Sequence, residues 1–128
     1  MAKYVKVSDK MKEQLTKAKV CDDQKIVFIA LMVQGGQDLG HSVITYIHDG
    51  FCASPLVSDT FGRLKIDEKV LKKCTTINKK TEISTVEFTR GHNMIINLNN
   101  GKVIGLGLSP EDAVVAEKLA LHLGWQGL

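Results

Sequence analysis

The sequence predicts an α/β fold of the α+β type, in which a central antiparallel sheet of about five or more strands is flanked by N- and C-terminal helices. Helix-like and strand-like runs follow one another in the order α-β-β-α-β-β-β-α, and the short hairpin links favour antiparallel pairing. The chain has 128 residues, of which 44% are hydrophobic and 24% charged. That length and composition predict a single domain over residues 1–128 with one continuous core.

The N-terminal third of the chain is predicted to contain one helix and two strands. Ser8 can cap a helix in which Met11, Leu15 and Ala18 recur at the spacing of one helical face. The following run, KIVFIALMVQ, is unbroken and rich in β-branched residues, which predicts a strand covered on both faces. A glycine-containing turn then leads to a second strand, SVITYIHDG.

The middle of the chain is predicted to be a surface connection followed by a short helix. Residues 51–62 include a proline and several small side chains, a composition typical of a loop. Asp67 can cap a helix over IDEKVLKKC, with Val70, Leu71 and Cys74 facing inward.

Three strands and a long helix are predicted for the C-terminal third. The strands are TEISTVEFT, NMIINLN and KVIGLGL, and Asn100-Gly101 between the last two is a strong hairpin signal. Ser109 can cap the helix, Pro110 suits its first position and two carboxylates suit the helix dipole, which predicts a helix to about Gly124.

The last strand lacks side chains on one face. Gly105 and Gly107 alternate along it, so another backbone or a helix can approach that face closely. We attribute both glycines to packing within the fold. They are not typical of a phosphate-binding loop, because GLGL lacks the third glycine and the following helix at the required distance.

The last helix carries two apolar faces. Its core face is predicted to contain Val115, Ala116, Leu119, Ala120 and Leu123. On the far side, Val114, Leu121 and Trp125 form a second face. Either the N-terminal helix packs beside the last helix and covers Trp125, or this face binds a partner. The first alternative is favoured, because terminal helices commonly lie side by side on one face of a sheet.

The charge of the chain points away from nucleic acid. The net charge is only +3 and aromatic residues make up 5%, without the interleaved basic and aromatic pattern that stacks single-stranded bases. Lysines are nevertheless concentrated between residues 65 and 80. This cluster is either a solvated helix face or a patch for an acidic protein or phosphoinositide headgroups, with candidates Lys69, Lys72 and Lys73.

The cysteines and the apolar runs indicate the compartment. Three cysteines, without a CxxC pair, favour a reducing compartment over a disulfide framework, so we expect a cytoplasmic protein. The N-terminus has no apolar segment typical of a signal peptide, and the run over residues 26–33 is far shorter than the roughly 20 residues of a membrane span. The protein is therefore not expected to be transmembrane.

No residue pattern typical of an enzyme is present. The four histidines do not share a helical face or a metal-ligand spacing with another ligand type. His48, Asp49 and Cys52 could supply a base, an orienting group and a nucleophile, but strand alternation points Asp49 away from the other two. We therefore expect a binding protein that is not an enzyme and uses neither a metal nor another cofactor.

Several residues of the C-terminal part resemble the profilin family. Glu117-Lys118-Leu119, His122-Leu123 and Gln126-Gly127-Leu128 resemble the last profilin helix, with its acidic-basic-Leu triplet, its aromatic-Leu pair and its terminal Gln-Gly-Leu. NMIINLNNGKVIGLGLSP is similar to the profilin hairpin that precedes this helix. Arg90-Gly91 and His48-Asp49-Gly50 resemble two short profilin motifs.

The resemblance implies a single profilin-like domain that binds monomeric actin and regulates filament assembly in the cytoskeleton. Binding would use the end of the sheet and the last helix, and would block one end of the actin monomer. The candidate contacts are Arg90, Lys102, Glu117 and Lys118.

The resemblance also implies a site for proline-rich peptides between the two terminal helices. Such a site is an aromatic groove for a preformed extended helix. The aromatic side chains could come from Tyr4, His122 and Trp125.

The order of helices and strands is also similar to that of the Roadblock family, whose members are dimeric regulators and scaffolds of small GTPases. This likeness concerns topology alone. A Roadblock-like chain is expected to form a homodimer, whereas a profilin-like chain is expected to be a monomer.

Overall fold

The computed structural model describes residues 7–125, which contain three α-helices and nine strands. The helices are α1 (Asp9–Lys17), α2 (Glu68–Cys74) and α3 (Pro110–His122), and a 3₁₀ turn spans Lys80–Glu82. The strands are β1 (Val27–Gln34), β2 (Gln37–Ile47), β3 (Gly50–Pro55), β4 (Val57–Ser58), β5 (Leu64–Lys65), β6 (Thr76–Lys79), β7 (Ile83–Thr89), β8 (Asn93–Leu98) and β9 (Val103–Gly107).

Seven of these strands form one antiparallel sheet in the order β6-β3-β2-β1-β9-β8-β7, and β4 pairs with β5 in a separate ribbon. The central strand is β1, in which Ile29 lies opposite Val43 of β2 and Leu31 opposite Gly107 of β9. Helix α3 packs on one face of the sheet, and α1 and α2 pack on the other. The predicted fold class, an antiparallel sheet flanked by the N- and C-terminal helices, is confirmed.

Each helix begins where the sequence predicts a cap. Ser8 Oγ accepts a hydrogen bond from the Met11 N–H (3.2 Å), and Ser109 Oγ accepts one from the Asp112 N–H (3.1 Å). The side chain of Asp67 accepts hydrogen bonds from two backbone N–H groups in the first turn of α2. These bonds satisfy donors that have no partner inside the helix, so the three capping predictions are confirmed.

The larger core cluster lies between α3 and the sheet. Among the described residues, every strand of the sheet except β6 contributes side chains that alternate toward α3, and many of these side chains are fully buried. Leu119 of α3 and Phe51 of β3 are both 0% exposed, so each contributes about 1.5–3 kcal/mol of burial free energy. The other members include Phe28, Ala30, Met32, Ile44, Ile83, Val86, Met94, Ile96, Ile104, Leu106, Ala116, Ala120 and Leu123.

The sheet curls around this cluster. Strands β6 and β7 lie at opposite edges, yet only the turn Lys80–Glu82 joins them. A flat seven-stranded sheet would separate its edge strands by about 29 Å, whereas the four steps from Lys79 to Ile83 span at most about 14 Å. Side chains of β3 and β7 join the same cluster under α3, so the sheet bends toward α3.

The smaller core cluster lies on the other face, beneath α1 and α2. Met11 and Leu15 of α1 pack with Val27, Ile29 and Val43, whose side chains alternate with those that face α3. The expectation that the N-terminal helix packs beside the last helix is therefore wrong. Helix α1 instead covers apolar side chains of β1 and β2 that α3 cannot reach from its side of the sheet.

In the part of the chain from residue 7 to residue 125, no helix therefore lies beside the second apolar face of α3. Val114 and Leu121 are 55% and 56% exposed. Trp125 behaves differently, because it is half-buried and packs against the larger core cluster.

Four strands lie where the sequence predicts none, and two of them, β4 and β5, are two-residue strands that form the separate ribbon. Strand β3 occupies the first part of the predicted surface connection, and its pairing with β2 buries Phe51 and Cys52. Strand β6 follows α2 and pairs with β3 at the edge of the sheet. Cys74 is exposed, contrary to the prediction, because the short helix α2 buries only Leu71.

Candidate functional site

The sheet face that carries α1 and α2 is covered over only part of its width. The two helices lie over the first half of β1 and over β2 and β3. Further along the same face of β1, Leu31 and Val33 are 44% and 40% exposed, and Val103 of β9 is 42% exposed. The predicted covering of this strand on both faces therefore holds for its first half alone.

The uncovered part of this face forms the β9 groove, a cavity of about 780 Å³ that runs along β9. Gly105 and Gly107 form its floor. Leu31 and Val33 of β1 form one wall, and Asn93 and Ile95 of β8 form the other.

Strand register places each floor glycine between one residue of either wall. A Cβ atom at Gly105 would lie 3.8 Å from Val33 Cβ and 3.9 Å from Ile95 Cδ1. A Cβ atom at Gly107 would lie 3.5 Å from Leu31 Cβ and 3.7 Å from Asn93 Oδ1. At Gly105 and Gly107 the floor therefore lies lower than the two walls by about the height of one side chain.

Nothing within residues 7–125 requires glycine on this floor. Both hypothetical Cβ atoms would make ordinary van der Waals contacts, and neither Gly105 nor Gly107 has the positive φ that favours glycine. Gly50 is the contrasting case, because a Cβ there would overlap the Asn78 carbonyl group. Packing among the described residues therefore explains Gly50 but does not explain the glycines of β9, contrary to the interpretation from the sequence.

A cationic residue lines one end of the β9 groove, and a second cationic residue directly follows a lining residue at the other end. Lys102 lines the groove at the β8–β9 turn, where its N–H donates to Asn100 Oδ1 (2.9 Å). Arg90 directly follows Thr89, which lines the opposite end. Both residues are exposed, and among residues 7–125 neither forms an ion pair. The groove therefore combines an apolar trough with positive charge at its two ends.

The other two residues predicted to bind actin lie away from this groove. Glu117 and Lys118 are exposed on α3, which packs on the opposite face of the sheet. They lie between Val114 and Leu121, the exposed apolar side chains of that helix. The structure therefore brings Arg90 and Lys102 to one surface and Glu117 and Lys118 to another.

The residues predicted to bind proline-rich peptides are only partly described. Tyr4 lies outside residues 7–125. His122 packs edge-to-face on Tyr46, with ring centroids 5.0 Å apart, and its Nδ1 lies 2.9 Å from the Lys118 carbonyl oxygen. Trp125 is half-buried nearby at the end of α3. Since α1 and α3 lie on opposite faces of the sheet, His122 and Trp125 do not line a cleft between the two helices.

The predicted lysine patch lies at the far edge of the sheet. Lys69, Lys72 and Lys73 are exposed on α2, next to the edge strand β6, where Ile77 is 56% exposed. Lys72 and Lys73 lie in the last turn of α2, where positive charge suits the helix dipole.

Over the described residues, no helix is both long enough and apolar enough to cross a membrane.

Cys21 and Cys52 are buried and are not arranged as nucleophiles. Burial raises the pKa of the Cys52 thiol to about 11, and burial also raises the pKa of Cys21. His48 is exposed beside Asp49, with Nε2 3.3 Å from Asp49 Oδ2, whereas Cys52 is buried between strands. Within residues 7–125, no three His, Cys, Asp or Glu side chains are grouped so that they could hold a metal ion.

Comparison of the chain with protein-family models, with curated proteins and with solved structures finds no match. The candidate site therefore rests on its own geometry. Sequence reasoning found the bare face of β9 and the two basic residues, but it missed Leu31 and Val33. Their exposure has no sequence signal, since both belong to the same apolar run as the buried Phe28 and Ile29.

Proposed function

We propose that this protein binds monomeric actin and regulates the assembly of actin filaments, and that the β9 groove is its main contact surface. The observation that carries this proposal is the position of two predicted contacts, Arg90 and Lys102, at the two ends of an exposed apolar groove. The identity of the partner is supported by the resemblance of the C-terminal residues to profilins.

The physical basis is the exposed apolar surface itself. Contiguous apolar surface with a polar rim is typical of a protein-binding site, because burial against a partner removes it from water. Leu31, Val33 and Val103 supply such surface. Arg90 and Lys102 would steer an acidic partner surface toward the groove and fix its orientation. An actin monomer bound at this groove would have the contacted face blocked, so that face could not take part in filament assembly.

The experiment is a monomer-binding and filament-assembly assay with actin from the same organism. Leu31→Asp places a charge in the groove and should weaken binding strongly, and Arg90→Glu with Lys102→Glu should slow association. Leu121→Asp is the matched control, because Leu121 is similarly exposed on the opposite side of the molecule. Wild-type protein that neither binds monomers nor slows assembly would reject the proposal.

A second candidate function is that of a Roadblock-like homodimeric regulator or scaffold of a small GTPase. It is favoured by one observation, that β7 is an edge strand that pairs only with β8 among the described residues. An edge strand of seven residues can pair with a second copy. Light scattering distinguishes the candidates, because this one requires a dimer and the first predicts a monomer.

Proline-rich peptides and phosphoinositides are proposed as additional ligands at separate surfaces. The rings of Tyr46 and His122 are in contact at the end of α3, Trp125 follows that helix in the chain, and Lys69, Lys72 and Lys73 lie on α2. A tryptophan fluorescence titration with a proline-rich peptide tests the first, and vesicle sedimentation with phosphoinositide-containing liposomes tests the second.

A further inference from the structure

We infer that the β9 groove receives one amphipathic α-helix of the partner protein, about three turns long, with an apolar stripe along β9 and acidic residues near its ends. This inference rests on the proposal that the groove is the partner-binding site. It does not require the partner to be actin.

The groove is narrower than an α-helix, and its width fits one row of helical side chains. Its walls stand on β1 and β8, which are separated by β9 and therefore by two strand spacings, about 9.5 Å. An α-helix with its side chains is about 10–12 Å across. One row of helical side chains would occupy the trough above Gly105 and Gly107, while the neighbouring rows rest on Val33 and Ile95.

The length of the groove sets the length of the helix. Strand β9 has five residues, which at about 3.3 Å each give a groove of roughly 16 Å, in which Gly105 and Gly107 leave the floor bare and the Val103 side chain lies in line with them toward the Lys102 end. A helix covers that distance in about three turns of 5.4 Å. Apolar residues at positions i, i+3 or i+4, and i+7 would then all contact the groove.

An extended peptide fits the groove less well than a helix. Strand β9 pairs with β1 on one side and β8 on the other, so the floor offers no free row of backbone hydrogen-bonding groups. An extended chain lying on Leu31, Val33 and Ile95 would bury its own N–H and C=O groups without partners, which is costly. A helix satisfies these groups internally.

The glycines of β9 provide the independent reason for a close approach. Glycine inside a strand weakens the strand, and neither steric overlap nor backbone conformation requires it at Gly105 or Gly107. Bare backbone at these two positions lets an incoming helix sit lower in the trough than alanine or valine would allow. The cost to the strand is then explained by contact with a partner.

The charges around the groove define the polar part of the ligand. Lys102 and the exposed Arg90 mark its two ends, which suits acidic residues near both ends of the helix. Glu87 lies on β7 opposite Ile95, beyond the β8 wall, so the flank of the helix on that side should be neutral or basic. Acidic ends and a non-acidic flank toward β7 distinguish this ligand from a uniformly acidic peptide.

The test uses the full chain labelled with ¹⁵N and a synthetic amphipathic peptide of about twelve residues with leucine at i, i+3, i+4 and i+7 and glutamate near both ends. Addition of the peptide should shift the amide signals of Gly105 and Gly107, and a scrambled peptide of the same composition should leave them unchanged. Peptide binding that shifts only α3 signals, or no binding at all, would overturn the inference.

Gly105→Val provides the second arm of the test. Valine fills the trough and favours a strand, so the melting temperature should stay the same or rise, while affinity for the amphipathic peptide falls by about tenfold or more. Unchanged affinity in a folded variant contradicts helix binding. If Gly105→Val lowers the melting temperature, Val33→Ser is used instead to change the wall of the groove. Val33→Ser must then lower the affinity for the amphipathic peptide for the inference to stand.

Actin serves as the third ligand and separates this inference from the proposed function. If the amphipathic peptide binds and actin does not, the helix-binding groove stands and the actin proposal fails. If actin binds to the wild-type protein and the amphipathic peptide does not, the actin proposal stands and the helix-binding groove fails.

Discussion

Val33 and Ile95 face one another across Gly105, and a Cβ atom on that glycine would lie 3.8 Å from Val33 Cβ and 3.9 Å from Ile95 Cδ1. The two apolar side chains belong to strands that are not neighbours in the sheet, yet no side chain of β9 stands between them. This relationship creates the β9 groove and with it the candidate binding site.

Alanine substitution should distinguish the two kinds of glycine in this chain. Gly105→Ala is expected to stabilise the protein by about 0.5–1 kcal/mol, because alanine fits the space and restricts the unfolded chain. Gly50→Ala is expected to destabilise it by about 1–3 kcal/mol or more, because the new Cβ would overlap the Asn78 backbone. Urea denaturation measures both changes, and a destabilised Gly105→Ala would show that the fold needs this glycine.

Leucines on the two sides of α3 should differ sharply in their contribution to stability. Leu119→Ala removes a side chain that is 0% exposed and should cost about 2–5 kcal/mol in the free energy of unfolding. Leu121→Ala removes one that is 56% exposed and should change the free energy by less than about 0.5 kcal/mol. Thermal unfolding of the two variants checks the orientation of α3, and equal losses would contradict it.

The Ser109 cap should contribute measurably to the stability of α3. Its Oγ accepts from the Asp112 N–H and also donates to Asp112 Oδ2 (2.8 Å). Ser109→Ala removes both bonds and should cost about 1 kcal/mol. Ser109→Asp restores an acceptor but places a second carboxylate beside Asp112, so it should recover only part of this loss in the same denaturation experiment.

The three cysteines should differ in their reactivity toward a thiol reagent. Cys74 is exposed, whereas Cys21 and Cys52 are buried and burial raises the pKa of both thiols, that of Cys52 to about 11. At pH 8, which is about three units below the pKa of Cys52, only about one Cys52 side chain in a thousand is the reactive thiolate. A colourimetric assay should therefore detect one fast thiol in the native protein and three in denaturant, and three fast native thiols would contradict the burial.

Local signals in the sequence predicted the helices and the turns well. Ser8, Asp67 and Ser109 cap helices as expected, because a cap depends on residues within one turn of it. Strand β3 was not predicted, because the small side chains around Ala53 acquire their core environment only when the sheet curls around them. Local periodicity contains no information about that curvature.

The binding surface could be predicted only in part for the same reason. The bare face at Gly105 and Gly107 is a local pattern and is visible in the sequence. Leu31 and Val33 are exposed because α1 covers only the first half of β1. The local sequence pattern of β1 does not show where a separate helix will cover it. The sequence therefore indicated the floor of the groove but not its apolar wall.

The most direct measurement for the central claim is the affinity of Leu31→Asp for actin monomers, compared with Leu121→Asp. If the β9 groove is the contact surface, Leu31→Asp should weaken binding at least about tenfold, a loss of about 1.4 kcal/mol, while Leu121→Asp binds like the wild-type protein. Both variants must first show wild-type circular dichroism. Equal affinities of the two folded variants, or a loss confined to Leu121→Asp, would contradict the claim that this groove binds the partner.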